Sequence, residues 1–506
     1  MNARVSESWQ LSRRTVLAPG RTSRRQFFFT ADLPPGARNV RHVYAPVEKL
    51  GVVMAATEIW EVGNVATFCG SIVRLDDGRY RMYYTASSVD DSHIWIAVAE
   101  SVDGLVWEKP SLGQHKMDNH LTNRIVFENF AGNQDALAQP QVLRLPDGRW
   151  RMYFWHNRKG SQKYIVAHSK DGLRWRIDAP PTLVMIDHWL SGKGSESDGW
   201  APSNKDHSPE EIKELWRLKG MRTNDACFVY YNDHFNRFEY YAQWLVPAIP
   251  NRRVEEDNLP NLLRCIQRRF SADGFTWSSP ELIIIPDERD PWDLQFYHLA
   301  VQWHEDWMIG SLGHYRVEAK QQTQDLELVF SRDGRHWHRP IRSGFIPRDP
   351  DSPDAHDSMG VYPPNAWIDE GNTWLCLYTG AHLRHNEVIG QDPSKTIPIM
   401  GARWKKNRFV GVGAGDVVGG FLSEPFYPQQ AEITIDADIR GWLRAEFCDV
   451  FGRKHYGYHL MDAVTVTGDS TAHVLQWKGR NTVDFQHDAV RLRFEFADGK
   501  IYSIGF

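Results

Sequence analysis

The stretch Ser101-Val-Asp-Gly-Leu-Val-Trp107 carries the pattern Ser-x-Asp-Gly-x-x-Trp, which occurs four times in this sequence of 506 residues. The other copies are Ser169-Lys-Asp-Gly-Leu-Arg-Trp175, Ser271-Ala-Asp-Gly-Phe-Thr-Trp277 and Ser331-Arg-Asp-Gly-Arg-His-Trp337. An Asp-Gly pair favours a turn between two strands, and the Trp can pack on a neighbouring sheet. Successive copies begin 68, 102 and 60 residues apart. That spacing fits a four-stranded repeat with one large insertion.

A longer repeat supports the same interpretation. Residues 73–84, from Val73 to Tyr84, return 70 residues later as residues 143–154, and each copy is a strand, an Asp-Gly turn and a returning strand. Hairpins without the full motif occur at residues 228–244, 299–312 and 366–379, and residues 400–409 resemble a closing strand. Five hairpins predict an all-β protein, with a five-bladed β-propeller over residues 40–420 and an N-terminal extension over residues 1–39. The alternative is a β-sandwich with accidental repeats.

The pattern changes after Gly420. Apolar and polar residues alternate in residues 433–437, 442–447, 473–477 and 490–496, which predicts a small C-terminal β-sandwich over residues 421–506.

The second and third blades are separated by an insertion over residues 187–220. Within it, Ser208, Pro209 and Glu211 form a capping-box pattern that predicts a helix. The insertion could cover the pocket as a lid or contact a partner subunit.

Composition excludes several classes of protein. Lys and Arg total 59 and Asp and Glu total 64, for a net charge of −5, so no basic excess favours nucleic acid. No apolar run approaches the roughly 18 residues of a membrane helix. Five scattered cysteines predict neither a disulfide framework nor a zinc site. The pair Arg24-Arg25 is similar to a twin-arginine signal, but the apolar stretch stops at Phe29. We therefore expect a soluble, cytoplasmic protein.

The five-bladed repeat with a following β-sandwich resembles the glycoside hydrolase superfamily that contains families 32 and 43. It resembles most closely the bacterial family-32-like proteins. The stretches that carry this resemblance are Trp60-Glu61, Asn224-Asp225-Ala226, His356-Asp357-Ser358, Gly468-Asp469-Ser470 with Trp477-Lys-Gly479, and Ile501-Tyr-Ser-Ile-Gly-Phe506. The resemblance covers nearly the whole chain after residue 40, and it implies a carbohydrate substrate.

The sequence also departs from the well-studied enzymes of family 32. Their first blade opens with Asn-Asp-Pro-Asn-Gly, in which the Asp is the nucleophile, whereas residues 66–73 here contain no carboxylate. Their second blade opens with Arg-Asp-Pro, where this chain has Ala138-Gln139-Pro140 and Asp135 is the nearest acid. Their Glu-Cys motif in the third blade has no match. Catalytic roles therefore have to be argued from this chain's own residues.

In a propeller the innermost strand of each blade starts at the mouth of a central channel, so acids just before those strands converge. Glycoside hydrolysis needs two such carboxyl groups, one of them kept protonated. We predict that Glu61, Asp225 and Asp357 are catalytic and lie in one pocket. Glu61 could instead pair with an arginine, and Asp357 could cap a turn. The other acids considered are Glu58, Asp135, Asp293, Asp325 and Glu327.

Further residues near the blade entrances are predicted to bind the sugar, namely Asp135, Tyr297, His298, His314 and His356. Each histidine could equally have a structural role. No H-x-x-x-H pair, carboxylate triplet, glycine-rich phosphate loop or Gly-x-Ser-x-Gly elbow occurs, so the sequence predicts neither a metal nor a cofactor.

The leading hypothesis is a glycoside hydrolase that acts on a furanoside or related small glycan. One alternative is a glycoside phosphorylase, for which Arg222, Arg252, Arg253 and Arg316 could supply a phosphate pocket. The other is a non-catalytic, glycan-binding propeller. A homo-oligomer is compatible with all three functions.

Overall fold

The computed structural model describes residues 24–61, 64–88, 93–130, 134–158, 161–177, 183–186, 222–223, 226–247, 262–316, 322–351, 355–385, 387, 396–428, 430, 432–480, 485 and 488–506. All regular elements within these ranges are β-strands, which confirms the all-β prediction. In the same part of the chain, no helix is long and apolar enough to cross a membrane. The predicted insertion over residues 187–220, with its helix, lies outside the described residues.

Five antiparallel units follow one another along the chain, and we number them 1 to 5. Unit 1 comprises Asn64–Arg74, Tyr80–Ser87 and Ile94–Ser101. Unit 2 comprises Leu137–Arg144, Trp150–Arg158, Ser161–Ser169 and Trp175–Arg176, joined by Phe127–Glu128 and Leu183–Ile186. Lys116–Met117 and His120–Leu121 form a separate two-stranded ladder between these units.

The remaining units have the same meandering order. Unit 3 comprises Phe228–Asn232, Arg237–Pro247, Leu262–Ser271 and Glu281–Ile284, with Arg222–Thr223 alongside. Unit 4 comprises Leu294–His304, Trp307–Arg316 and Thr323–Ser331. Unit 5 comprises Gly360–Tyr362, Trp367–Asp369, Thr373–Ala381 and Ile399–Lys405.

The outermost strand of unit 5 comes from the N-terminal part of the chain. Glu48–Met54 pairs antiparallel with Ile399–Lys405, so the last unit is completed by residues that precede the first. Because its two edges come from distant parts of the sequence, unit 5 ties the two ends of the repeat together.

The units contact each other in a closed cycle. The first strand of unit 2 contacts the first strands of units 1 and 3, and the first strand of unit 3 contacts that of unit 4. Units 4 and 5 are joined by the parallel pairing of Gln324 with Gly360, and Thr373–Ala381 of unit 5 contacts Asn64–Arg74 of unit 1.

Apolar side chains fill each boundary of this cycle. The five clusters are represented by Tyr83 with Met152, Tyr153 with Cys227, Ile266 with Leu299, Phe330 with Trp374, and Leu375 with Met82. Since both faces of a unit pack on neighbours, most of the described side chains of its middle strand are buried. Eight of the nine residues in Thr373–Ala381 are buried, for example, and this explains its nearly continuous apolar sequence.

The four Ser-x-Asp-Gly-x-x-Trp motifs form equivalent turns, as predicted. In every copy the Gly N–H donates to the Ser Oγ at 2.8–2.9 Å, and the Ser hydroxyl donates to the Asp Oδ1 at 2.8–3.1 Å. The Trp Nε1 donates to the Gly carbonyl in three copies. Trp277 lacks that bond and packs against Tyr153 and Tyr240.

Motif turns also hold neighbouring units together. The Tyr83 hydroxyl of unit 1 donates to the Gly172 carbonyl of unit 2 at 2.8 Å, and Tyr153 of unit 2 donates to Gly274 of unit 3 at 2.9 Å. The repeat therefore encodes the contacts between units as well as the turns within them.

The C-terminal strands form a seven-stranded sheet, which we call the terminal sheet. Its strands are Arg25–Phe27, Arg41–Tyr44, Val410–Ala414, Gly419–Leu422, Thr434–Asp449, Val466–Val474 and Val490–Gly505. Arg408 joins this sheet to unit 5, because its Nε donates to the buried Asp436 carboxylate at 2.6 Å. The domain boundaries expected from the sequence stay a prediction.

Candidate functional site

One cavity of about 330 Å³ touches all five units. The lining residues come from the first strands of units 1 to 4 and from the start of the second strand of unit 5, namely Ser71 and Ile72, residues 141–143, residues 228–230, residues 301–303 and residues 365–367. In units 1, 2 and 4 they lie in the C-terminal half of the strand. Aromatic and aliphatic side chains dominate the lining, and a few amide and hydroxyl groups interrupt it. Small-molecule pockets usually have this composition.

We call the end at which the first strands begin the entrance. Here Gln139 of unit 2 links three units, because its N–H donates to Thr85 Oγ1 at 3.0 Å and its Oε1 accepts from Ala226 N–H at 2.9 Å. Gln139 and Ala226 both have positive φ, 57° and 60°. Residues other than Gly seldom adopt this conformation, and such strained positions concentrate at functional sites.

A tyrosine cluster lies at the entrance of units 3 and 4. The rings of Tyr297 and Tyr315 pack on the buried Ala226, and the Arg264 guanidinium lies 4.6 and 4.7 Å from their centroids. The His385 ring completes the cluster, 4.8 Å from Tyr297 and 5.3 Å from Tyr315. The predicted sugar-binding residue Tyr297 is thus beside the strained backbone of Ala226.

Glu61 is fully buried and bonded on both oxygens. Its Oε1 accepts from the Tyr84 hydroxyl. Its Oε2 pairs with the Lys109 ammonium and accepts from the N–H groups of Thr57 and Glu58 at 3.2 and 3.3 Å. A carboxylate held in this way fixes the loop before unit 1. These contacts favour the alternative that Glu61 forms a structural ion pair, although its partner is a lysine and not the arginine expected.

Asp357 has a similar environment before unit 5. It is 1 % exposed, and its Oδ2 accepts from the Tyr378 hydroxyl at 2.8 Å and pairs with Lys49 Nζ at 2.6 Å. Burial raises the pKa of Tyr378, and the charge of Asp357 raises it further, so the phenol stays protonated as the donor. Lys49 belongs to the N-terminal strand that completes unit 5, so Asp357 anchors that strand.

Asp135 is more accessible than these two acids. Its side chain is 40 % exposed, and Oδ1 accepts from Trp95 Nε1 at 3.0 Å and pairs with Arg124 Nη1 at 2.9 Å. The Arg124 guanidinium also lies 4.3 Å from the Trp95 ring centroid. The carboxylate therefore meets solvent at the entrance between units 1 and 2, while the Arg124 and Trp95 side chains that hold it are buried.

Asp293 begins unit 4 and is buried. Its Oδ1 accepts from Arg316 Nε at 3.0 Å, whereas its Oδ2 has no hydrogen-bond partner among the described residues. The two residues stand at the ends of the first and second strands, which pair at Leu294 and Arg316.

The three histidines predicted to bind sugar occupy different environments. His298 is fully buried, and burial lowers its pKa to about 3, partly offset by a hydrogen bond with Asn365. His314 is buried, and its Nε2 lies 2.5 Å from the Glu327 carboxylate. Arg339 donates to the same carboxylate. His356 is partly exposed, with its ring 6.2 Å from that of His382.

Asp225, the third predicted catalytic acid, lies outside the described residues together with Asn224. The common pocket expected for Glu61, Asp225 and Asp357 therefore stays a prediction. Within the described ranges, no group of three or more His, Cys, Asp and Glu side chains could hold a metal ion.

Sequence reasoning missed several entrance residues. Arg264, Trp95 and Arg124 lie outside every sequence motif, and only their contacts single them out. His385 follows the last strand residue of its hairpin by four positions, in a loop with no periodicity. The pair His314-Tyr315 did carry a signal, because the sequence around it marked a blade entrance.

No family model matches the chain, and no curated protein matches it in sequence. Among solved structures, one described as a glycoside hydrolase matches at 14 % identity over 72 % of this chain and 92 % of that one, with a TM-score of 0.45. A β-1,2-mannobiose phosphorylase from Listeria innocua matches at 10 % identity over 72 % and 97 %, with a TM-score of 0.43. A thermostable family-43 glycoside hydrolase matches at 11 % identity over 69 % and 92 %, with a TM-score of 0.41. Likenesses this distant assign neither a family nor an activity to this chain.

Proposed function

We propose that this protein is a glycoside hydrolase, built on a five-bladed β-propeller with a C-terminal β-sandwich, that cleaves a furanoside or related small glycan. The observation that carries the proposal is the cavity bordered by residues from all five units. Five meanders in a closed cycle around such a cavity are the arrangement expected of propeller blades. The polar residues proposed for the site stand at the starts of the inner strands, at the entrance, whereas the cavity lining of units 1, 2 and 4 lies toward the other end of those strands.

The cavity and the entrance have groups suited to a sugar. Tyr230 and Trp303 are partly exposed aromatic residues of the cavity lining, and Asp135 at the entrance offers a carboxylate whose side chain is 40 % exposed. Sugars present apolar ring faces and many hydroxyls, so a site with aromatic walls and a few fixed polar groups suits them.

For the chemical step we assign Asp225 as one of the two carboxyl groups. Its chain neighbour Ala226 is held at the entrance by Gln139 and packs on Tyr297 and Tyr315. We assign Asp135 as the second, because its carboxylate is the most exposed of the described acids predicted for the site. A spacing of about 5–5.5 Å between the two carboxyl groups would imply retention, and about 6.5–9.5 Å inversion.

Glu61 and Asp357 then support the site. Each is a buried acid before the first strand of its unit, neutralised by a lysine and fixed by a tyrosine. Breaking such a pair to reach substrate would leave a buried charge unpaired, which is costly. Their role in this proposal is to hold the entrance loops of units 1 and 5.

The experiment is a product analysis on the purified protein with para-nitrophenyl arabinofuranoside and kestose, with and without inorganic phosphate. The proposal expects free monosaccharide at the same rate in both buffers. A sugar phosphate formed only with phosphate would identify a phosphorylase. Binding of both probes without any product would identify a glycan-binding propeller, and neither binding nor product would refute the carbohydrate assignment for furanosides.

A further inference from the structure

The loop over residues 450–465 joins Thr434–Asp449 to Val466–Val474 in the terminal sheet, and we call it the aromatic loop. It carries Tyr456, Met461 and Phe451, which are 92, 84 and 79 % exposed. No large apolar residue of the described chain is more exposed than Tyr456 and Met461. Single apolar residues are common on protein surfaces, whereas several in one region mark an interaction site.

The aromatic loop is fixed to the sheet. In the strand before it, Phe447 N–H donates to the Tyr458 carbonyl at 3.1 Å, and the two rings pack edge-on with centroids 5.6 Å apart. At the start of the loop the Asp449 carboxylate accepts from the N–H groups of Phe451 and Arg453, both at 2.9 Å. Tyr458 is buried, so one aromatic residue anchors the loop. A loop held in this way loses little entropy when it binds a partner.

The ion pairs around the aromatic loop share one orientation. In each, the side chain of the cation is at least half exposed and that of the acid less than a quarter. The pairs are Arg453 with Asp449, Lys454 with Glu446, and Lys478 with Asp462. Arg480 is a further exposed cation, and its guanidinium lies 5.5 Å from the Tyr458 ring centroid. The charge that these pairs present to solvent is therefore positive, on a chain with a net charge of −5.

Cations and aromatic rings occur side by side on this surface. The Arg453 guanidinium lies 5.3 Å from the Phe451 ring centroid, and Lys454 is two residues before Tyr456. A matching partner carries negative charge and an apolar face in the same small unit. A two-fold contact between copies would instead bring the same cations against each other.

A uronic acid residue has both properties. Its ring has an apolar C–H face that can lie on an aromatic side chain, and its carboxylate can pair with Arg or Lys. An acidic polysaccharide repeats that unit along its length. One chain can therefore contact several rings and cations of a loop together.

We propose that the aromatic loop is a binding surface for an acidic polysaccharide. Tyr456 and Phe451 contact sugar rings in this proposal. Arg453, Lys454 and Arg480 bind the uronate carboxylates. The choice of a polysaccharide among anionic partners rests on the proposed function. The surface itself belongs to the terminal sheet, whereas the proposed catalytic residues belong to the entrance of units 2 and 3.

The test measures binding of the full chain to sodium polygalacturonate by calorimetry, with the neutral polymer inulin for comparison. The parent should bind polygalacturonate at least about 10-fold more tightly than inulin, and added salt should weaken that binding by screening the charges. Tyr456→Ala should raise the dissociation constant for polygalacturonate about 3- to 10-fold, and the double variant Phe451→Ala/Tyr456→Ala should raise it further. Arg480→Gln should weaken binding and reduce its dependence on salt.

A matched control is Val102→Ala. Val102 lies at the motif turn of unit 1 and is 79 % exposed, the same fraction as Phe451, so its loss should leave polygalacturonate binding at the parent value. All substituted side chains are exposed, and thermal unfolding of each variant should occur at the parent temperature. A variant that unfolds earlier is compared at a temperature at which it is folded.

The outcomes separate this inference from the proposed function. A parent that cleaves the furanoside probes but does not bind polygalacturonate overturns the inference and leaves the function standing. A parent that binds polygalacturonate through Tyr456 and Phe451 without cleaving either probe supports the inference and counts against the hydrolase.

Three further results would overturn the inference. The first is a double variant that binds polygalacturonate as the parent does. The second is tighter binding of the parent to phosphatidylglycerol vesicles than to polygalacturonate, lost in the double variant, which would identify a membrane contact. The third is a parent dimer that the double variant converts to a monomer, which would identify a contact between copies.

Discussion

The side-chain carbonyl of Gln139 accepts a hydrogen bond of 2.9 Å from the backbone N–H of Ala226, and both residues have left-handed backbone conformations. Ala226 is fully buried, so its N–H has to be satisfied inside the protein. The bond joins units 2 and 3 at the entrance, directly after Asp225. The path of the chain beyond the proposed catalytic acid therefore depends on a side chain from another unit.

The first prediction concerns Gln139. In Gln139→Leu the buried N–H of Ala226 loses its acceptor, which should cost about 1–3 kcal/mol of unfolding free energy. Because small displacements of a catalytic group reduce rates strongly, kcat should also fall about 10- to 100-fold. Gln114→Leu is the control, since Gln114 Oε1 accepts from Val126 N–H at 3.0 Å between units 1 and 2. A kcat that falls equally in both variants would contradict the positioning role.

The second prediction concerns the strand that completes unit 5. Lys49→Met removes the cation from the buried Asp357 carboxylate, and unfolding in urea should show a loss of about 3 kcal/mol. Lys478→Met removes a similar pair with Asp462, but that lysine side chain is 66 % exposed, and the loss should be about 0–1 kcal/mol. Equal losses would show that Asp357 does not anchor the strand.

The third prediction tests the contact between motif turns and neighbouring units. A Cβ added at Gly274 would lie 2.2 Å from Arg151 Nη1 and 2.4 Å from the Tyr153 hydroxyl, whereas one at Gly148 meets nothing within 4 Å. Their φ angles are almost the same, 79° and 81°. The backbone strain of an alanine is therefore common to both variants. Gly274→Ala should be less stable than Gly148→Ala by about 1–3 kcal/mol, measured by chemical unfolding.

The fourth prediction is a pH dependence of stability. Burial lowers the pKa of His298 to about 3 from its ordinary 6.5, so below pH 6.5 the unfolded chain binds a proton that the folded chain does not. Stability from this residue is complete above pH 6.5 and decreases as the pH falls toward 3. The slope approaches about 1.4 kcal/mol per pH unit. His298→Gln should reduce the slope of the unfolding free energy over this range, and an unchanged slope would contradict the assignment.

The repeated turns could be predicted because their bonds are local. Ser101 bonds Gly104 within three residues, and the same spacing recurs in each copy. The completion of unit 5 could not be found this way. Glu48–Met54 pairs with Ile399–Lys405, about 350 residues away, and no local pattern specifies that partner. The same holds for Arg25–Phe27, which pairs with residues 503–505 of the terminal sheet.

The candidate site was predictable in residue type more than in role. Glu61 and Asp357 were identified as acids before first strands, and both occupy that position. Their neutralising lysines, Lys109 and Lys49, come from other segments, so the sequence could not distinguish a buried ion pair from a catalytic carboxylate. The same holds for Asp469, a motif residue of the C-terminal part. It pairs with Lys405 and Arg408 across the boundary with unit 5, and the sequence alone does not identify these partners.

The most direct test of the central claim is the turnover of Asp225→Asn with para-nitrophenyl arabinofuranoside and kestose. The amide keeps the size of the side chain and removes its charge, so the protein should unfold at the parent temperature. Loss of an acid or base in the chemical step should lower kcat by about 10²–10⁴, while Asp349→Asn, an acid outside the proposed site, should keep the parent rate. A folded Asp225→Asn protein that cleaves either probe at the parent rate would contradict the account.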